Sequence, residues 1–297
     1  MLAFFRFKNM FQLLFISLFI YSCNSSLPEE KKSLTELPPF IEHTYHWHEN
    51  YNKLNSIAHK IESPSNFQRV KVDSNSFESW LRFLPLKSDN TVYLYNGNKK
   101  GNQSAQHAVI DIDIGSRDLQ QCADAVMRLR AEYLLSLKKE NEISFNFTSG
   151  DKCDWKRWKE GYRPKIKGNN VNWSKSASMD NSYANFKKYM TMVFNYAGTL
   201  SLEKELQQQP LNNLKAGDVF IKGGSPGHAV IVIDVAENEN GEKVFLLAQS
   251  YMPAQNIHIL KNPNNPNLSP WYKLSECKEI VNTPEWTFTS NQLKTFH

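Results

Sequence analysis

Apolar positions in this chain follow two different periods, and the change from one to the other outlines its elements. Tyr51, Leu54, Ile57, Ala58 and Ile61 recur at spacings of three and four, which predicts a helix stopped by Ser63-Pro64-Ser65-Asn66. Residues 76–84 (SFESWLRFL) predict a short amphipathic helix ended by Pro85. The strongest helical signal covers residues 118–138, with Asp118 as N-cap and a stripe of Ala125, Val126, Leu129, Tyr133 and Leu137. Residues 183–196 predict a second long helix closed by Gly198, and residues 201–206 continue as a short third.

Alternation marks the strands. Residues 91–95 alternate before the turn residues Asn96-Gly97, and residues 107–114 (HAVIDIDI) form a clearer strand. Further strands are expected at 217–221, 228–235 (HAVIVIDV), 244–250 (VFLLAQS) and 256–260, with a turn over 238–241. Helices followed by an antiparallel meander predict an α+β fold. HAVIDID and HAVIVID echo each other as similar strands, not as an internal repeat. Residues 153–173 have no period, and set Trp155, Trp158, Tyr162 and Trp173 among Lys, Arg and Gly. They read as a long ordered loop.

Composition narrows the class. The chain has 297 residues, 40% of them apolar and 12% aromatic, which excludes a disordered chain, and 12 Gly with 13 Pro exclude a collagen-like one. Its start is specific: Arg6 and Lys8, an apolar run over 10–21, then Ile20-Tyr21-Ser22-Cys23. A basic region, a short apolar stretch and a small residue before cleavage read as a secretory signal over residues 1–22. A Cys directly after that small residue resembles a bacterial lipobox, which implies a diacylglyceryl group on Cys23. An ordinary cleaved signal without lipid is the alternative. Residues 23–39 are polar and Pro-bearing, as expected of a lipid-anchored tether, and residues 40–297 are expected to form a single α+β domain. The expected address is the cell envelope, with the lipid in the outer membrane, and the membrane is the first expected partner. The net charge of +5 falls to +3 once Arg6 and Lys8 are removed, which gives no case for a nucleic-acid partner. After Cys23 only Cys122, Cys153 and Cys277 remain, so at most one disulfide is possible. Cys153 and Cys277 are expected to pair or to be buried.

Three residues suggest chemistry. Cys122 falls in the first turn of the strongest helix, where the dipole and the free N–H groups favour a thiolate. His228 opens an apolar strand after Gly223-Gly224-Ser225-Pro226-Gly227, and Gln249 interrupts the apolar run of the next strand, where an amide can orient an imidazole. A buried core Cys and a strand-end His are the structural alternatives. The order of Cys at a helix start, then Gly217-Asp218-Val219-Phe220-Ile221, then Pro226-Gly227-His228-Ala229-Val230, then a polar residue one strand on, resembles the papain-like fold of NlpC-type amidases. That resemblance implies Cys122 as nucleophile, His228 as base and Gln249 as orienting residue, on a helix packed against an antiparallel sheet. The N-terminal region and the Trp-rich segment would be insertions. The stretches Gln121-Cys122-Ala123-Asp124-Ala125, Gly217-Asp218-Val219-Phe220-Ile221 and Ala248-Gln249-Ser250-Tyr251-Met252-Pro253-Ala254-Gln255 also resemble a family of Bacteroidota envelope lipoproteins of unknown function.

The expected activity is therefore that of an envelope-anchored thiol hydrolase acting on an amide in a peptide or a peptidoglycan stem peptide. Trp155, Trp158 and Tyr251 are assigned to substrate contact. Gln255 or His258 is the alternative to Gln249, and His107 the alternative base. No cofactor and no metal are expected, because the His43, His46, His48 and Glu49 cluster has no familiar zinc spacing. The reading from a different class is a non-catalytic surface lipoprotein that holds glycan or peptide on the Trp-rich segment.

Overall fold

A computed structural model describes residues 43–297, so the signal, the tether and Cys23 lie outside the described residues. The first half carries α1 (Ile57–Lys60), β1 (Gln68–Arg69), α2 (Phe77–Arg82), β2 (Gln106–Val109) and α3 (Cys122–Ser136). Then follow β3 (Ser144–Asn146), β4 (Lys152–Asp154), α4 (Trp155–Lys159), β5 (Tyr162–Lys167), β6 (Asn170–Lys175), α5 (Tyr183–Tyr196) and α6 (Thr199–Glu205). The last third is β7 (Gln207–Gln208), β8 (Val219–Lys222), β9 (His228–Glu237), β10 (Lys243–Gln249), β11 (His258–Leu260) and β12 (Tyr272–Lys273). It ends with β13 (Ile280–Asn282), β14 (Thr287–Thr289) and β15 (Leu293–Thr295).

The chain is a mixed α+β structure built on one large antiparallel sheet, in the order β2-β11-β10-β9-β8-β15-β7, with β1 on β9 and β12 on β10. The meander expected from the sequence is β8 to β11, and its central strand β9 is buried along nearly its whole length. Both faces of β9 are covered, so its residues are apolar on both sides instead of alternating. Ala229, Ile231 and Ile233 join the core that holds Val126 and Leu129 of α3. Val230 and Val232 face the other way, into a second core with Phe220, Phe245 and Phe288. Cys153 belongs to the first core and Cys277 to the second. The sheet separates them, and Cys122, Cys153 and Cys277 are all free thiols.

Several local expectations are corrected by tertiary partners. The helix expected over 51–61 is only a 3-10 turn followed by the short α1. Residues 91–95 form isolated bridges, Tyr93 to Lys99 and Leu94 to Gln255, because no full strand lies beside them. The Trp-rich stretch is not a loop. It is β4, the short helix α4 capped by Asp154, and the hairpin β5–β6. Trp155 and Trp158 face inward, whereas Tyr162 and Trp173 are half-buried with the Arg157 guanidinium over both rings, and no period shows because one short element follows another.

Trp155 and Trp158 were expected as an exposed platform, and burial corrects this. Trp155 has no exposed surface and meets Phe186 edge-on at 5.5 Å between centroids, with Tyr189 at 5.6 Å. Trp158 donates its Nε1–H to Asn185 Oδ1 at 3.0 Å, and its ring is covered by Arg163 at 4.1 Å. These rings pin the excursion to α5 and offer no face to a sugar or peptide. Trp155→Ala is expected to cost about 3–5 kcal/mol of stability, read from the urea midpoint. A loss below about 1 kcal/mol would contradict the packing role.

Candidate functional site

The helix that carries Cys122 starts later than its sequence suggests. Asp118 is not the N-cap. Its Oδ1 accepts from the Ala254 N–H at 2.7 Å and from Gln121 Nε2 at 3.1 Å, tying the loop after β10 to the helix entrance. Gln121 is the N-cap, and its N–H donates to Asp124 Oδ2 at 3.0 Å. Cys122 is thereby the first residue of α3, with the unsatisfied N–H groups of the first turn around it.

Cys122 and His228 line one cleft of about 480 Å³, with Tyr251, Met252, Trp286, Phe194 and the Gly224–Gly227 loop. The two side chains come from separate elements, the start of α3 and the first residue of β9. The N–H groups of Ala123 and Ala229 meet the sulfur, and Ala229 directly follows His228. Tyr251 bridges the pair. Its ring lies 4.7 Å from that of His228, and burial, then Glu285 and Cys122 beside it, push its hydroxyl pKa up. Among the described residues no hydrogen bond joins Cys122 to His228 in this resting arrangement.

The imidazole is held from behind. His228 shares the face of Val230 and Val232, and its ring packs on Trp286 at 5.3 Å and on Phe288 at 5.9 Å. The register Ala248 to Ile231 brings Gln249 to the same sheet end, and His228 Nε2 and Gln249 Oε1 lie 2.8 Å apart. Gln249 is thus the residue that touches the imidazole. Gln255 instead offers its carbonyl to Ser250, and His258 stands behind Gln249 at 3.4 Å. Gln249 Nε2 also donates to Glu285 Oε2 at 2.7 Å, and Glu285 in turn pairs with Lys100 at 2.5 Å. His107, on β2, lines a separate cleft with Lys60 and Asp89 and does not line the cleft of Cys122 and His228.

Burial decides the charge state. Cys122 is 7% exposed, and desolvation, then the neighbouring Asp124 carboxyl, push its thiol up to about 11, against the favourable N–H groups. Burial likewise pulls His228 down to about 4, against its bond to Gln249. The expected resting thiolate is therefore corrected to a neutral thiol beside a neutral imidazole. In one helix turn the dipole contributes about 0.3–1 kcal/mol, less than the cost of burying a charge. Alkylation of Cys122 by iodoacetamide is expected to rise through about pH 11, and at pH 7 to run on the order of a hundredfold slower than a free thiol. Mass spectrometry of the adduct across pH checks this, and an inflection below pH 8 would instead reveal a resting thiolate.

The remaining candidates separate. His43 Nε2 bonds Ser79 Oγ at 3.0 Å, His46 stacks on Tyr183, and His48 pairs with Asp111 at 3.2 Å. The three histidines therefore have three different partners, and no group of His, Cys, Asp and Glu suited to a metal occurs among the described residues. Sequence reasoning missed Glu285 and Lys100. Glu285 lies in the Pro-bearing stretch Thr283-Pro284-Glu285-Trp286, and no spacing links it to Gln249 or to Lys100.

Fold and cleft together define an α+β protein whose helix start and sheet end share one half-enclosed site. By sequence the chain belongs to a family described as domain of unknown function 4846, whose model matches residues 57–295. No curated protein and no solved structure matches the chain.

Proposed function

We propose that this chain is a papain-like thiol hydrolase that cleaves an amide, with Cys122 as nucleophile, His228 as base and Gln249 as orienting residue. The observation that carries the reading is the shared cleft, in which the N–H next to His228 meets the sulfur at the start of α3. Resemblance to NlpC-type amidases in the order of these residues adds to it.

The chemistry follows from the neutral pair. As the carbonyl carbon of the amide reaches the sulfur, the thiol proton passes to His228 and the C–S bond forms. The carbonyl π pair moves to oxygen, where the positive end of the helix dipole at the start of α3 stabilises it. The imidazolium then gives its proton to the amine nitrogen, the C–N bond breaks and the amine leaves. In the second half water attacks the thioester carbon and loses a proton to His228, the C–S bond breaks, and the imidazolium returns that proton to the sulfur as the acid product leaves. Phe194, Met252, Tyr251 and Trp286 give the cleft an apolar wall, and Met252 is 58% exposed at its rim.

In this reading the enzyme is exported and lipid-anchored through Cys23 in the outer membrane, so its substrate is an envelope peptide, a peptidoglycan stem peptide being the first choice. The glycan or peptide platform of the alternative reading would have to do without Trp155 and Trp158, which are buried, and rest on the half-buried Tyr162 and Trp173. The test is acid quenching of the full chain during incubation with soluble peptidoglycan fragments, then mass spectrometry of the Cys122 peptide. An acyl adduct together with a new free amine is the expected result. Absence of both across stem-peptide and simple N-acyl peptide substrates would overturn the proposal.

A further inference from the structure

We propose that Glu285 and His258 are positioning residues that, by taking the N–H groups of Gln249, orient its amide and through it hold His228 as the Nε2–H tautomer, with Nδ1 as the basic nitrogen. The inference deepens the hydrolase reading and rests on it only for the use to which Nδ1 is put.

Two independent anchors hold the Gln249 amide. Glu285 Oε2 receives Lys100 Nζ at 2.5 Å and Gln249 Nε2 at 2.7 Å, while its Oε1 receives Asn102 Nδ2 at 3.2 Å. A carboxylate paired with an ammonium only accepts, so the nitrogen end of Gln249 must face it. On the other side, His258 Nδ1 lies 2.9 Å from the Asn256 carbonyl oxygen, which also only accepts. His258 therefore carries its hydrogen on Nδ1 and presents a bare Nε2 to Gln249 Nε2, 3.4 Å away. Both anchors demand the same amide orientation. Turning the amide over would set its oxygen against a carboxylate and a lone pair at once, in a region where His258 and Gln249 are buried.

With the amide so oriented, Gln249 Oε1 is the atom that meets His228 Nε2 at 2.8 Å. An amide oxygen cannot donate, so Nε2 of His228 carries the hydrogen. A neutral imidazole has one N–H, which leaves Nδ1 bare, and Nδ1 makes no hydrogen bond among the described residues. The charged and titratable groups around His228 are Glu285, Lys100, His258, Tyr251 and Cys122, and Trp286 and Phe288 wall the ring. Burial keeps both His228 and His258 neutral at pH 7, the condition under which a tautomer is defined.

The test is long-range proton–nitrogen NMR of the ¹⁵N-labelled full chain at pH 7, which reports the hydrogen-bearing nitrogen of each histidine. His228→Gln assigns the signal. The wild type is expected to show His228 protonated at Nε2 and His258 at Nδ1. Glu285→Gln keeps the size but can donate as well as accept, so the Gln249 amide loses its preference. The ratio of the Nδ1–H to the Nε2–H form of His228 is then expected to rise about tenfold, and the reaction rate at Cys122 to fall in proportion to the Nε2–H population lost. A wild-type His228 protonated at Nδ1 overturns the proposal without any variant. So does a tautomer ratio that does not move in Glu285→Gln. An inert Cys122 in a protein that shows both expected spectra would leave the tautomer device standing and remove the hydrolase reading alone.

Discussion

Cys122→Ser is expected to lower amide hydrolysis by about 10⁴-fold or more while leaving the fold intact. The hydroxyl is nearly the size of the thiol and occupies the same first position of α3, so Gln121, Asp124 and the Ala254 tie are undisturbed. What changes is the nucleophile. A serine hydroxyl is a much weaker acid than even the raised thiol of Cys122, and a neutral imidazole pulled down to about 4 by burial is a weak base for it. The measurement is the rate of amine release from stem-peptide fragments, with circular dichroism and the urea midpoint as controls on folding. Full activity in this variant would end the hydrolase proposal. Loss of activity accompanied by loss of structure would be resolved by Cys122→Ala, which removes the nucleophile and needs no hydrogen bond.

A large stability effect is expected elsewhere on the strand that begins with His228. Asp234 is fully buried in β9, and two arginines converge on it. Arg69 Nε donates to its Oδ2 at 2.6 Å, and Arg82 Nε to its Oδ1 at 2.8 Å. Arg82 also reaches the Val70 carbonyl at 2.9 Å, Arg69 bonds the Ile61 carbonyl, and its guanidinium lies over Trp271. This cluster fastens α2 and β1 to the centre of the sheet. Asp234→Ala leaves two buried guanidinium groups without their counter-charge, which costs about 3–5 kcal/mol. A shift of the urea midpoint by that amount, at unchanged slope, is the expected result. A change below about 1 kcal/mol would mean that the arginines relax to solvent and that the cluster does not hold the layer. Replacing all three residues with apolar side chains of similar size is expected to recover much of the loss, because the desolvation cost disappears with the charges.

The site itself divides into parts visible in the chain and parts that are not. Cys122 and His228 each stand at the boundary of an element, and boundaries of strongly periodic segments show in one dimension. The helix start moved from Asp118 to Gln121 because a carboxylate that looks like a cap is instead used by Ala254, 136 residues away. Gln249 was visible as a polar residue in an apolar strand, but its partner depended on register. The irregularity between Leu246 and Leu247 shifts that register by one residue, and no turn length encodes it. The thiol state escapes the sequence for a related reason. Helix position is local, whereas desolvation depends on everything that packs above the sulfur.

The sequence by itself determined the class of fold, the long helices α3 and α5 and the meander β8 to β11. In each of these the burial pattern repeats within the element, so the side chains that face the core announce it. Tertiary structure alone decided that β1, β12 and β15 join the sheet, that Trp155 and Trp158 are core residues, and that Lys100, Glu285 and His258 stand behind Gln249. These strands are two or three residues long, too short to show a period, and the polar groups lie far apart in the chain. Periodicity reports how much of a residue is buried. Which residue it is buried against is decided only when the layers close and every hydrogen-bonding group in between must find a partner.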